Sequence, residues 1–212
     1  MPTTSTNPST LLKLSFLCGI IFLFAFYDTI THHGVTGTFN QWILESTFVT
    51  SNYYGKYFLT LKMLSTLGGS SVFIVSMVLT YGYLACRRQW FISFYSIIVI
   101  GIILGITLLC KELIDSPRPL FPFDINSFPS GHTVRASVSC GLVLFLHAIG
   151  IIKLPRTAIY LLIVIPLVVG YTRIGLGKHW PSDVIASYAL TTGLFSLAGC
   201  LMLHKLRLSK TQ

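Results

Sequence analysis

Residues 171–184, YTRIGLGKHWPSDV, place Arg173, Lys178, His179 and Asp183 between two long apolar runs, where every charge is costly and therefore suspect of a function. Two more polar clusters interrupt otherwise greasy sequence. KELIDSPRP carries Lys111 and, seven residues on, Arg118 ahead of Pro119. FPSGHT, residues 128–133, carries Ser130, Gly131 and His132 at the start of an apolar run. Singly, each has a plain explanation: snorkelling bases at a helix end, a turn and cap, an interfacial ion pair. Together they ask for one. Lys111, Arg118 and Arg173 are three fixed cations, a helix beginning after Gly131 offers backbone N–H groups, and two histidines complete a site for a multiply charged oxyanion. Phosphate is the guest such a site fits. His179 and Asp183 lie four residues apart, one helical turn, with Pro181 suited to the first turn of the helix between them. Arg135 and Lys178 are further cations of second rank.

The elements that position these clusters are membrane helices. Of 212 residues, 53% are hydrophobic and 10% charged, too apolar for a soluble domain with a charged surface. Six segments approach the ~20 residues that cross a bilayer: 11–30, 58–86, 91–110, 133–152, 157–172 and 184–204. The expected fold is all-α, one polytopic bundle of six transmembrane helices forming a single domain over 1–212, with the site at its outer rim. The tight connections RRQW and GIIKLPR make the second and third, and the fourth and fifth, segments antiparallel neighbours. STLGGSSV reads as a small-residue packing device without a catalytic part. The loop 31–57 reads as an interfacial segment with a short surface helix, its Trp42, Tyr53, Tyr54 and Tyr57 forming an aromatic belt. No cleavable leader is expected at the amino end.

Sorting the charges by side gives orientation. With the amino terminus inside, Arg87, Arg88, Lys153, Arg156, Lys205, Arg207 and Lys210 lie in inner loops and the tail, following the positive-inside rule. All six acids and the bases of the three clusters then fall in the outer half. The net charge of +9 is thus a matter of topology, and no nucleic-acid partner is expected. The five cysteines sit in or at the ends of apolar runs and read as small hydrophobes, neither a disulfide set nor a zinc site.

In order and spacing, Lys-x6-Arg-Pro, then Pro-Ser-Gly-His, then Arg-x5-His-x3-Asp resembles the three signature motifs of the type 2 phosphatidic acid phosphatase superfamily, in its membrane-bound lipid phosphatase branch. Thr172 replaces the serine with which the third motif usually begins, and it keeps the hydroxyl. The resemblance implies His179 as nucleophile, Asp183 as its partner and His132 as general acid and then base, with Lys111, Arg118, Ser130, Gly131 and Arg173 binding phosphate. Neutral His179 and protonated His132, from similar reference values, predict a bell-shaped pH profile. The spare acids Glu112, Asp115 and Asp124 are scattered among bases, so no metal and no cofactor are expected. The resemblance further implies a lipid phosphate as substrate and membrane lipids as surroundings. The expected location is a bacterial inner membrane with the site facing the periplasm or exterior. Undecaprenyl diphosphate is the first choice of substrate. Lipid A, phosphatidylglycerol phosphate, phosphatidic acid, or phosphoryl transfer between lipids are the alternatives. A transporter of a phosphate-bearing solute, a non-catalytic scaffold and a vanadate-binding haloperoxidase fit less well: there is no repeat, both histidines are intact, and the chain is membranous.

Overall fold

In the computed structural model, the residues described are 7–31, 34–51, 56–120, 123 and 126–208; the side chains of 48–51, 56 and 208 lie outside that description. They form eight α-helices and no strand among the described residues: α1 Pro8–Ile30, α2 Gly37–Ser51, α3 Lys56–Ser65, α4 Ser70–Cys86, α5 Trp90–Leu113, α6 Gly131–Ala148, α7 Arg156–Gly175 and α8 Pro181–Leu208. A 3-10 turn, Thr66–Gly68, joins α3 to α4. The chain is an all-helical, multi-pass membrane protein. Tyr53, Tyr54, Asp124 and Lys210 lie outside the described residues, whereas the expected surface helix in 31–57 is present as α2.

Five stretches are long and apolar enough to cross a membrane: Pro8–Ile30, Tyr57–Cys86, Trp90–Leu113, Arg156–Gly175 and Pro181–Arg207. The expected sixth, 133–152, corresponds to α6, which is not among them. Its position explains why. Helix α6 packs against α4, α5, α7 and α8, so it faces protein rather than lipid and tolerates Arg135, Ser137 and Ser139. The core follows from the same arrangement: Leu84 of α4, Ile103 of α5 and Val138, Leu142 and Leu146 of α6 are buried together with Phe195 and Met202 of α8. Helices α1, α4 and α5 turn large side chains outward instead, among them Phe16, Leu79, Phe94 and Leu108. That outward apolarity is what a lipid-facing ring requires. Helices α4 and α5 pack together, as do α6 and α7, as their short connections require.

Segment 58–86 is not one helix. It breaks at the 3-10 turn, and Gly69 leaves it in an extended conformation, φ −70° and ψ 160°. The break brings the backbone against α6: a Cβ on Gly68 would stand 2.5 Å from the carbonyl oxygen of His132. Only glycine permits that approach. The far end of the site is shaped by another glycine. Helix α7 stops in a Schellman motif, with Lys178 N–H donating to Arg173 O (3.1 Å) and Gly177 N–H to Ile174 O (2.8 Å). Gly177 takes φ +62°, and a Cβ there would collide with Leu120 at 2.1 Å.

Candidate active site

Three loops meet at one end of the bundle. Residues 114–120 and 126–130 are joined by a bridge between Ser116 and Asn126 and by Ser127 N–H donating to Ser116 O, 3.0 Å. Leu120 N–H donates to Gly177 O at 3.2 Å, which ties the first loop to the turn after α7. Phe128 is fully buried, its ring 6.1 Å from Phe22 and 6.3 Å from Phe26 of α1, and it pins the loop ahead of α6. The starts of α6 and α8 are cross-linked by Ser130 N–H to Asp183 O (3.4 Å) and Ser187 Oγ to Ser130 O (3.3 Å).

His179 follows the Schellman turn and is buried. Its Nδ1 lies 3.4 Å from Asp183 Oδ2 and 3.4 Å from Ser127 Oγ. Ser127 donates a short hydrogen bond to the same Asp183 oxygen, which also accepts from Trp180 N–H at 2.9 Å. Asp183 is fully buried, and its Oδ1 has no hydrogen-bond partner among the described residues. With Nδ1 on the Asp183 side, Nε2 is the ring nitrogen left for chemistry. Burial is the largest influence on this imidazole and pushes its pKa down to about 4; Arg173 and Arg118 add to the lowering, against the raising effect of Asp183. At neutral pH the ring is uncharged, as a nucleophilic imidazole must be.

The cations stand round it. Arg173, in the last turn of α7, is 5% exposed and donates from Nη1 to Ser65 Oγ at 2.8 Å. Its Nε has no hydrogen-bond partner among the described residues. Arg118 reaches Lys178 O at 3.4 Å, and Lys111, in the last turn of α5, donates to Asn126 O at 2.7 Å. Lys111 Cε and Arg135 Nη1 both face the Cα of Gly131, 4.0 and 3.6 Å from where a Cβ would be. Ser130 precedes α6 but does not cap it: its oxygen accepts from Thr133 Oγ1 at 2.9 Å, so its own O–H remains a donor. His132 and Arg173 line one cavity of about 370 Å³ together with Lys62 and Lys178. All eight motif residues therefore converge on one locus.

Four contacts reach beyond the motifs. STLGGSSV holds two of the site's cations, Arg173 through Ser65 and Arg135 through Gly68 O (Nε, 3.0 Å), which corrects its reading as packing alone. Nothing local in the sequence marks Ser65, 108 residues from its partner. Ser127 clasps the Asp183 carboxylate, and its place two residues before Pro129 is the one available signal. Finally, Arg135 Nη2 lies 3.2 Å from His132 Nδ1. A guanidinium only donates, so Nδ1 accepts, and the expectation of a His132 that begins protonated is not met in this arrangement.

The PAP2 superfamily model matches residues 89–207, more than half the chain and all three clusters. The chain belongs to the PAP2 superfamily. No curated protein sequence matches it. Among solved structures it is similar to the first transmembrane PAP2-type phosphatidylglycerolphosphate phosphatase from Bacillus subtilis, 23% identical over 93% of this chain and 97% of the other, with a TM-score of 0.71. It is also similar to Aquifex aeolicus LpxE, 20% identical over 76% of this chain and 94% of the other, with a TM-score of 0.57. The PAP2 fold thus extends beyond the motif region to the amino-terminal helices.

Proposed function

We propose that this PAP2 protein is a metal-independent integral membrane phosphatase that cleaves a lipid phosphate through a phosphohistidine. The observation that carries the proposal is the buried His179, held through Nδ1 beside Asp183 and surrounded by Arg118 and Arg173. In the first step the Nε2 lone pair forms a bond to phosphorus while the bond to the leaving oxygen breaks, and that oxygen takes a proton from His132. In the second, His132 takes a proton from water, the hydroxide oxygen bonds to phosphorus, and the P–N electron pair returns to His179. Asp183 stabilises the imidazolium character that develops on His179. Lys111, Arg118, Arg173, the Ser130 hydroxyl and the Gly131 N–H neutralise the equatorial oxygens, the main catalytic effect in phosphoryl transfer. The protein itself supplies these positive charges, which favours catalysis without a metal ion or other cofactor.

Undecaprenyl diphosphate is the substrate the arrangement favours. The leaving group must lie on the His132 side, and there the cavity carries Lys62 and Lys178, two cations suited to a second phosphate. A competing reading, a hydroxylated headgroup such as that of phosphatidylglycerol phosphate or lipid A, draws on a second cavity of about 240 Å³ lined by Asn40, Gln41, Asp115 and Trp180. None of the eight motif residues lines it, so it ranks second. The charge distribution along the chain supports a bacterial inner membrane with the site on the periplasmic or exterior side.

The test is phosphate release by the purified protein in detergent with chelator present. The panel is undecaprenyl diphosphate, lipid A, phosphatidylglycerol phosphate and phosphatidic acid, each against His179→Ala. Release from the diphosphate alone, abolished in the variant, is expected. Silence on every lipid by folded protein refutes the phosphatase reading, and loss on chelation with rescue by magnesium refutes metal independence.

A further inference from the structure

The catalytic cycle sets a condition on His132 that the structure does not meet as it stands. A ring that donates from Nε2 and later accepts at Nε2 must keep a hydrogen on Nδ1 throughout. Here Nδ1 accepts from Arg135 Nη2 at 3.2 Å, so the ring is the neutral tautomer with its hydrogen on Nε2. Donation from that form would leave an imidazolate, far too basic a product. Arg135 has to let go before His132 can work.

The guanidinium is built to do so without leaving the site. Its Nε is fixed on Gly68 O at 3.0 Å, and Gly68 is itself wedged against the backbone of His132. Nη1 already faces Gly131 at the mouth of α6, beside Lys111. A phosphoryl oxygen bound at Gly131 is a charged acceptor, and the guanidinium gains an ion pair there in place of a hydrogen bond to an uncharged imidazole nitrogen. The groups that face His132 reinforce this. Arg135 comes from its own helix, Arg173 from α7, Lys178 and His179 from the turn before α8, and Lys62 of α3 lines the same cavity. All but His179 are cations, and the negative charge of a phosphate among them removes the main obstacle to an imidazolium.

We propose that Arg135 is a substrate-released latch on the general acid: it holds His132 as the neutral Nε2–H tautomer until a phosphoryl group at Gly131 takes the guanidinium over. Nδ1 then accepts a proton from solvent through the cavity, so binding of a phosphate dianion takes up one proton. Arg135 thus positions His132 before binding and contacts the phosphoryl group after it, and its effect on turnover rests on the role given to His132 above.

Two readouts decide it. Protein labelled with 15N-histidine in detergent micelles is titrated with inorganic phosphate, with His132 assigned by its loss in His132→Asn. Before phosphate, Nδ1 should resonate as unprotonated and Nε2 as protonated; with saturating phosphate both should be protonated. An unchanged tautomer overturns the latch, whether or not any lipid is hydrolysed, so its failure is separable from that of the phosphatase reading. In kinetics, the alkaline limb of kcat/KM should lie at lower pH than that of kcat. Arg135→Gln should draw the two limbs together and lower kcat at its optimum by about tenfold, the scale of one lost charge-assisted hydrogen bond. Equal losses at every pH with unmoved limbs would mark Arg135 as merely structural. Arg135→Lys keeps the charge but not the fork that spans Gly68 and His132, so it should also narrow the gap, and it serves if the glutamine variant does not fold.

Discussion

The site has two walls, and they are held in different ways. Lys111 and Arg118 donate to backbone carbonyls, Asn126 O and Lys178 O, of loops that belong to the motifs. Arg173 and Arg135 are held from outside the motifs, by Ser65 Oγ and Gly68 O at the break between α3 and α4. These two contacts of the first wall are to main chain, which side-chain substitution cannot delete. The second depends on a hydroxyl and on one glycine, and is the wall where substitution can tune the site.

His179 lies between the walls, and its removal should defeat both: His179→Ala is expected to lose activity by at least ~10⁴-fold, read as phosphate release. Gly68→Ala comes next, because the added Cβ must push the break away from the His132 carbonyl. We expect loss of about 1–3 kcal/mol of stability together with most of the activity, read by thermal melting and initial rates. An alanine tolerated there would erase the distinction between the walls. Ser65→Ala should cost about tenfold in kcat/KM by leaving the buried Arg173 without its Ser65 partner, while Asn126→Ala, which keeps the carbonyl that Lys111 donates to, should cost less. Equal effects of the two would break the comparison from the other side.

A further effect is in pH. The folded pKa of His179, about 4, lies below the ~6.5 of an unfolded histidine. Between those values the unfolded chain binds more protons, so stability rises with pH across that window and is lost on acidification through it. Melting temperature should fall between pH 6.5 and 4 in the wild type and fall less in His179→Gln. Parallel curves would show that burial at this position does not depress the imidazole.

This division also explains what could be read from residues alone. The first wall and the His179–Asp183 pair are short-range patterns, a cation at a helix end or two groups one helical turn apart, and local spacing reports them. Ser65 and Gly68 act through approaches set by tertiary packing, and nothing in their neighbours distinguishes them from small residues that merely pack; Ser127 has only its place before Pro129. The helices were legible from apolar length, with two exceptions of one kind. Segment 58–86 breaks because Gly68 and Gly69 give up helix for contact with α6. Helix α6 itself is polar enough to hold Arg135 because other helices surround it, and a hydropathy pattern cannot announce such shelter.

The break between α3 and α4 also acts as a depth gauge. Helix α4 has 17 residues, a rise of about 25 Å, against a hydrocarbon core of about 30 Å. Measured from the other end of α4, the turn that holds Arg173 and Arg135 therefore stands near the level where acyl chains give way to headgroups. A lipid phosphate rests at that height already, so under the proposed function it would reach His179 by sliding sideways in its leaflet, without being lifted from the membrane.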